Sequence, residues 1–493
     1  MIVIPEEFKI ACLKEHRELK SPVMMLFAAD ERASAGTFAL RCVFLDRKNK
    51  EWAIVQTNLP AEKPAFPSLS KDMYSSILFE REIKEMFGIE PVGGLDLRRL
   101  ALHNEVWPEG YYPLRKDFKA PDRSGNTAEK FNFTKVEGEG IFEVPVGPVH
   151  AGIIGPGHFH FSCAGEPIIN LEIRLGFTHK GTEKLFEGHS PAQKIGLSEC
   201  IAGDSAFAHS FAYCTALEKI NGISVPGRAS YLRALFLELE RMYNHANDIG
   251  GMATDVGFSF PAALASIIKE KILRLNDALC GSRYLKGINI PGGVAKDIDR
   301  KLVIEKIKPI VRDFNELKNI LYSNVSFMDR VEGPGMLRKK TAEDLGITGL
   351  AARASGIGID LRCLFSEVHT TCGFKPSVEE TGDALARLTA RINEFEESAR
   401  LVNFIADYLP DGNLSSPAEA NKQGSAIGCA EGWRGPVLYW VSVDNKGKLD
   451  RVKIVDPSFK NWAGLSFAVL GDIIPDFPLC NKSFDLSYSG GDL

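Results

Sequence analysis

The 493-residue chain reads as an α+β protein in two units, a small α/β unit at the N terminus and then a mainly α-helical bundle with flanking antiparallel sheet. Three observations carry this. Short stretches near the start mix β-branched and aromatic residues with polar ones, as strands do. Long stretches between about 191 and 405 repeat apolar residues at helical spacing and are joined by short connections, as in a bundle. Apolar and polar residues alternate between about 133 and 176 and again after 433, as in antiparallel sheet.

Taken in order, TFALRCVFLD (37–46) and EWAIVQTNL (51–59) predict a strand pair around the charged turn RKNKE. SKDMYSSILFEREIKEMFG predicts an amphipathic helix on Met73, Ile77, Leu78, Ile83 and Phe87, ended by Gly88. Residues 91–122 hold several Gly and Pro and no long periodic run, so they read as an extended arm that closes the first unit at 122. The polar, turn-rich APDRSGNTAEK (120–130) reads as the linker to a second unit spanning 123–493. That unit opens with a small antiparallel sheet through GPVHAGIIGPGHFHF and passes into helices such as AFAHSFAYCTALEKI and YLRALFLELERMYNHANDIG. It then forms a hairpin over 433–455 turning at Asp444–Gly447. A further helix and an irregular tail follow.

Composition excludes some functions. A net charge of −5 and a pI near 6.1 do not give the basic stripe of a nucleic-acid binder. No apolar run reaches the ~20 residues that cross a bilayer, and the start lacks the basic-then-apolar order of a signal peptide. Membrane contact is therefore expected through partners. The ten cysteines include no C-x-x-C pair, which fits scattered reduced thiols rather than a zinc or iron–sulfur site. GIGID at 356–360 lacks the glycine spacing of a dinucleotide fingerprint.

The run FEREIKEMFGIEPVGGLDLRRLAL with YYPLRKDF resembles the C-type (30-kDa-like) subunit of complex I. The family's E-R-E helix, G-I turn, R-R-L strand and P-L-R-K-D-F fall at Glu80–Glu82, Gly88–Ile89, Arg98–Leu100 and Pro113–Phe118. GPVHAGIIGPGHFHF, LGFTHKGTEKLFEG, RALFLELERMYNHANDIGGMATDVGF, EGWRGPVLYWV and VDPSFKNWAGL resemble, in order, the D-type subunit of complex I and the large subunit of [NiFe] hydrogenases. The C-then-D fusion is similar to the large subunit of membrane-bound, formate-hydrogenlyase-type hydrogenases.

The resemblance implies four thiolates from two C-x-x-C pairs. Aligned here, they fall on Ala202 and Ser205 in ECIAGDSAFAHS and on Ser458 and Asn461 in DPSFKNW. A methyl, two hydroxyls and an amide do not replace soft sulfur ligands. The quinone-binding histidine and tyrosine of the complex I branch match Ile154 and Gly203, while an earlier histidine of the hairpin is kept as His150. The cavity position is then lined by His150, Asp204, Ser205, His209, Asp255, Ser458 and Asn461. His150, Asp204, His209 and Asp255 are the candidates for proton relay, because a buried acid beside a histidine can pass protons near neutral pH. A structural hydrogen-bond network filling the cavity is the competing reading. His179 and Glu183 fall where the family meets the neighbour carrying an iron–sulfur cluster. Arg353, Asp360, Arg362 and Asp383 are charges in apolar surroundings and are expected to pair.

The functional expectation is a peripheral-arm subunit of a complex I-like or energy-converting-hydrogenase-related redox complex, lacking a [NiFe] centre and binding no cofactor itself. Its expected partners are a small iron–sulfur subunit of complex I B-type, a ferredoxin-like subunit and antiporter-like membrane subunits, on the cytoplasmic side of the cell membrane. Two alternatives stand beside it: reduction of a quinone or other small acceptor in a rebuilt pocket, and a purely structural scaffold.

Overall fold

The computed structural model describes residues 1–121, 130–150, 152, 154–417 and 421–493. Most of the expected linker (120–130), and the 122/123 boundary with it, falls on 122–129, outside the described residues.

The first unit is a sheet covered by helices. Helix α1 (Pro5–Leu19) precedes strands β1 (Met25–Glu31), β2 (Thr37–Asp46) and β3 (Glu51–Pro60), which pair antiparallel in that order. Ile2–Val3 adds a parallel edge to β3. The predicted pair and its charged turn are therefore present. Helix α2 (Ile77–Phe87) buries Phe79, Ile83, Met86 and Phe87 and stops at Gly88, whose φ of 66° is the left-handed conformation that glycine takes without a Cβ penalty.

The second unit starts with the antiparallel sheet β4 (Ile141–Val146), β5 (His158–Ala164) and β6 (Ile168–Arg174), followed by the short helix α3 (Thr182–Phe186). The bundle is built from α4 (Ala206–Asn221), α5 (Gly227–Asp255), α6 (Ser259–Cys280), α7 (Arg300–Ser323) and α8 (Ala384–Asp407). Helix α5 runs through the centre and is buried on nearly every side between Leu232 and Ala253. That is why its apolar pattern is nearly continuous rather than one-sided.

A second antiparallel sheet, β7 (Gly424–Glu431), β8 (Pro436–Val443) and β9 (Leu449–Val455), packs on α4. The β8–β9 turn falls where expected, with the Asp444 carboxylate accepting from the N–H groups of Lys446 and Lys448. Strand β7 was not anticipated. Gly428 lets it approach α4 so closely that a Cβ there would stand 2.0 Å from the carbonyl oxygen of Ala212. After β9 come α9 (Pro457–Ala468), α10 (Phe477–Phe484) and α11 (Tyr488–Asp492), so the expected irregular tail carries two helices.

The two units share a core. Phe27 of β1 packs on Trp440 of β8, and Phe79 of α2 packs on Phe459 of α9. Between them, Lys453 on β9 bonds Glu82 of the E-R-E helix at 2.5 Å and Glu183 of α3 at 3.1 Å. No described helix is long and apolar enough to cross a membrane.

Candidate functional site

The site lies where the start of α4 meets the loop before β8 and the chain's last turns. Helix α4 has no side-chain cap of its own. The carboxyl of Glu240 on α5 accepts from the N–H groups of Phe207 (2.7 Å) and Ala208 (3.1 Å) instead. Burial nonetheless pushes the Glu240 carboxyl up to about 8, outweighing those two bonds.

The turn before α4 presents Asp204. Its backbone carbonyl accepts from Tyr243 (3.0 Å), Asn244 (2.7 Å) and the indole of Trp433 (3.2 Å), which locks the loop. Its side chain takes Arg434 in a two-pronged bond of 2.9 and 2.7 Å. Arg434 is buried, lies 3.8 Å over the ring of Trp433, donates through Nε to the carbonyl of Asp485 and stands 3.8 Å from the Asp485 carboxylate. Burial works against its charge, but Asp204 beside it more than offsets this and holds the guanidinium firmly protonated.

His209, fully buried one turn into α4, donates from Nε2 to Asp456 (3.0 Å). In that tautomer Nδ1 accepts from the hydroxyl of Tyr439 (3.0 Å). Asp456 caps α9 by accepting from Ser458 N–H at 2.7 Å. Burial would raise its carboxyl, but His209 and Arg434 hold it below the usual range.

The positions aligned with sulfur ligands are engaged with the protein itself. Asn461 clips the backbone of Thr348, accepting from its N–H (3.0 Å) and donating to its carbonyl (3.1 Å). Ser458 Oγ accepts from Ser487 N–H at 3.0 Å, and Ser205 Oγ lies 3.5 Å from Arg434. Ala202 has no donor atom. The first turn of α11 joins the same assembly: a Cβ on Gly490 would fall 2.7 Å from the Asp456 carboxylate. The donor set is one methyl, two hydroxyls and an amide already bonded to the backbone, beside a fixed ion pair, and it does not fit a nickel–iron cluster held by thiolates. Among the described residues no group of three His, Cys, Asp or Glu side chains has metal-holding geometry.

Of the sequence-selected residues, the structure brings together Asp204, Ser205, His209, Ser458 and Asn461. Asp204 and His209 bond different partners rather than each other. Asp255 is exposed at the end of α5; burial of its surroundings pushes its carboxyl up, against the pull of Lys482. His150 closes its own loop on the carbonyl of Gly157 (2.9 Å). His179 donates to the carbonyl of Asp492 (2.7 Å). Glu183 is buried, accepting from Arg451 (2.6 Å), Lys453 and the N–H of Ile454, so it ties α3 to β9. Both line a cavity of about 430 Å³ between α2 and α9.

Sequence reading missed Arg434, Asp456, Glu240 and Asp485. The available signal was an arginine in the otherwise apolar G-W-R-G-P. The expected interior pairs are present: Asp360 bonds Arg362 (2.8 Å) and Arg353 (3.3 Å) within a fully buried network that includes Glu238, Glu394 and Glu431. Asp383 instead caps α8.

Two family models match the chain: respiratory-chain NADH dehydrogenase 30 Kd subunit over residues 5–124, and its 49 Kd subunit over residues 255–423. Formate hydrogenlyase subunit 5 of Escherichia coli (strain K12) is 32% identical over 484 residues, covering 94% of this chain and 84% of that protein. Hydrogenase-4 component G of the same organism is 30% identical, with 94% and 82% covered. The fused C/D subunit of the NADH-quinone oxidoreductase of Bacteroides thetaiotaomicron is 30% identical, with 76% and 75% covered. A solved chain of the membrane-bound sulfane sulfur reductase, an archaeal respiratory membrane complex, superposes with a TM-score of 0.67 at 27% identity, covering 72% of this chain and 99% of that one.

Proposed function

This chain belongs to the family of fused 30-kDa/49-kDa-type subunits of membrane-bound complex I-like and hydrogenase-related respiratory complexes, and on that premise we propose that it works in its complex without a nickel–iron centre. In this reading it is a peripheral subunit on the cytoplasmic side of the membrane. A neighbouring small iron–sulfur subunit supplies electrons, a ferredoxin-like subunit feeds it, and antiporter-like membrane subunits move ions. Protonation and ion-pair changes around Asp204, Arg434, His209 and Asp456 connect the two processes.

The observation that carries the proposal is the Asp204–Arg434 pair, closed against the start of α4, with Asn461 bonded to Thr348 where a sulfur ligand would stand. An ion pair and a backbone clip occupy the donors a cluster would need. Metal analysis of the purified complex tests this directly. Nickel far below one per chain is expected; stoichiometric nickel, or hydrogen turnover that follows this polypeptide, overturns it.

A second reading, reduction of a quinone or other small acceptor, draws support from the 430 Å³ cavity, which is walled by Tyr74, Leu78, Leu95, Trp462 and Phe467. Photolabelling of the intact complex with a quinone analogue decides it: label at Trp462 or Phe467 supports it, and none removes it. A purely structural scaffold is separated by changing Asp204 and Asp255 to alanine. Full coupled activity with intact assembly favours the scaffold.

A further inference from the structure

A second cavity, of about 890 Å³, lies between the first unit and the short helix Lys339–Leu345 with the loop that follows it. Its floor is apolar: Met24, Leu45, Ile347 and Leu361 line it and are buried. Its rim is basic. Arg17 in the last turn of α1, Lys20 just beyond that helix, Arg47 at the end of β2 and Lys71 before α2 all line the cavity and are exposed. Among the described residues none of these four side chains has an ion pair or a hydrogen bond.

The carboxylates of the wall are mostly paired already. Asp72 is bonded by Lys9 at 2.7 Å and meets Arg17 and Lys71 only at longer range, while Asp344 is bonded by Lys340 at 2.5 Å. Glu343 is the one lining carboxylate without an ion pair among the described residues. Four unpaired cations therefore face one unpaired carboxylate, on a chain whose net charge is −5. A cleft edged by one sign of charge over apolar walls focuses its field and concentrates the opposite ion.

The recess is also fixed in shape. A Cβ on Gly346 would stand 2.7 Å from the Cβ of Ser75 and 3.1 Å from that of Pro22, so the loop and the first unit touch at the wall. Lys20 has a φ of 48°, the left-handed conformation that glycine usually supplies at a helix end. A lysine there carries a backbone cost, and what it places is an ammonium on the rim.

We propose that this recess binds a small soluble polyanion of the di- or triphosphate class, its charge shared among Arg17, Lys20, Arg47 and Lys71 and any organic part lying on the apolar floor. Cations from three separate segments converge here, which suits several linked phosphates better than a single carboxylate. The volume is that of a small-molecule site. Thr348, in the wall, is the residue that Asn461 clips, so an occupant rests against a loop of the candidate site. The binding itself does not depend on the function proposed above.

Isothermal titration of the purified full-length chain with inorganic triphosphate, free of divalent metal, tests this. The expected result is one saturable site per chain whose affinity falls from low to physiological salt. Arg47→Glu with Lys71→Glu should weaken binding by about tenfold or more, because the reversed charges repel the ligand. Lys301→Glu with Lys308→Glu, which makes the same change of charge on the exposed face of α7, should leave binding intact. Hydrogen–deuterium exchange of the wild-type chain should slow over 16–24 and 340–349 when triphosphate is bound. No saturable binding, equal weakening by the two double variants, or protection confined to other segments overturns the proposal. Binding of the chain to phosphatidylglycerol vesicles but not to triphosphate also overturns it, since the basic rim would then serve a lipid surface. If the cavity variant fails to fold, the exchange pattern of the wild-type chain decides.

Discussion

Removing Asp204 should destabilise the chain more than removing Asp204 and Arg434 together. Arg434 has a side-chain exposure of 6%, so an Asp204→Leu change strands a guanidinium in the interior without its close partner, leaving the Asp485 carboxylate 3.8 Å away and the more distant Asp456 as its opposite charges. Breaking one half of a buried ion pair costs about 3–5 kcal/mol. Asp204 is 38% exposed, so its own lost attraction is screened, and the lower half of that range applies, about 3–4 kcal/mol. In the double variant Asp204→Leu/Arg434→Met, no charge is stranded and the methionine keeps part of the contact with Trp433. The remaining loss is the bond to the Asp485 carbonyl, about 1–2 kcal/mol. Over a unit of about 370 residues, 4 kcal/mol lowers the unfolding midpoint by about 5 °C. Thermal unfolding followed by near-UV circular dichroism, run on both single variants and the double, gives the coupling energy as a double-mutant cycle. A double variant as unstable as Asp204→Leu, or losses that simply add, would refute the claim that the pair is a mutually compensating buried contact.

Three more outcomes follow from the same physics. Glu240 stands at about 8 in the fold against 4.5 ordinarily, so the folded chain holds its proton more tightly. Stability should fall as pH rises from 4.5 to about 8, by up to ~1.4 kcal/mol per pH unit, and Glu240→Gln should flatten that slope in urea titrations. His245 is lowered by burial from 6.5 to about 4. Its contribution is complete above 6.5 and is lost as pH falls towards 4, and His245→Gln should remove that acid limb; an unchanged limb in the same titrations counts against it. Gly428→Ala should cost about 3 kcal/mol or more, because the new methyl meets the Ala212 carbonyl at 2.0 Å and must push β7 off α4; a soluble variant with the wild-type midpoint would contradict this contact.

The order of elements was open to reading because periodicity is local. The β2–β3 pair, the helix ending at Gly88, the turn at Asp444 and the long bundle helices each leave a pattern within ten to thirty residues. Strand β7 left a weaker one, since Gly424, Gly428 and two alanines replace the branched residues a strand usually shows. They are there because α4 lies against it. The helices of the tail were hidden by Pro475, Pro478 and two glycines.

The site shows the same division. Sequence alone determined which atoms are available at the four ligand-aligned positions, and that none of them is a thiolate. It also required the charges at 353, 360 and 362 to find partners, because an interior does not solvate a lone ion. Only the tertiary structure decided which partners they find. Arg434 meets Asp204 across 230 residues, and Arg391 meets Asp248 across 143. Such pairings have no periodic trace along the chain: they arise where α4, α5, the β7–β8 loop and the last turns converge, and convergence is set by how the whole core packs.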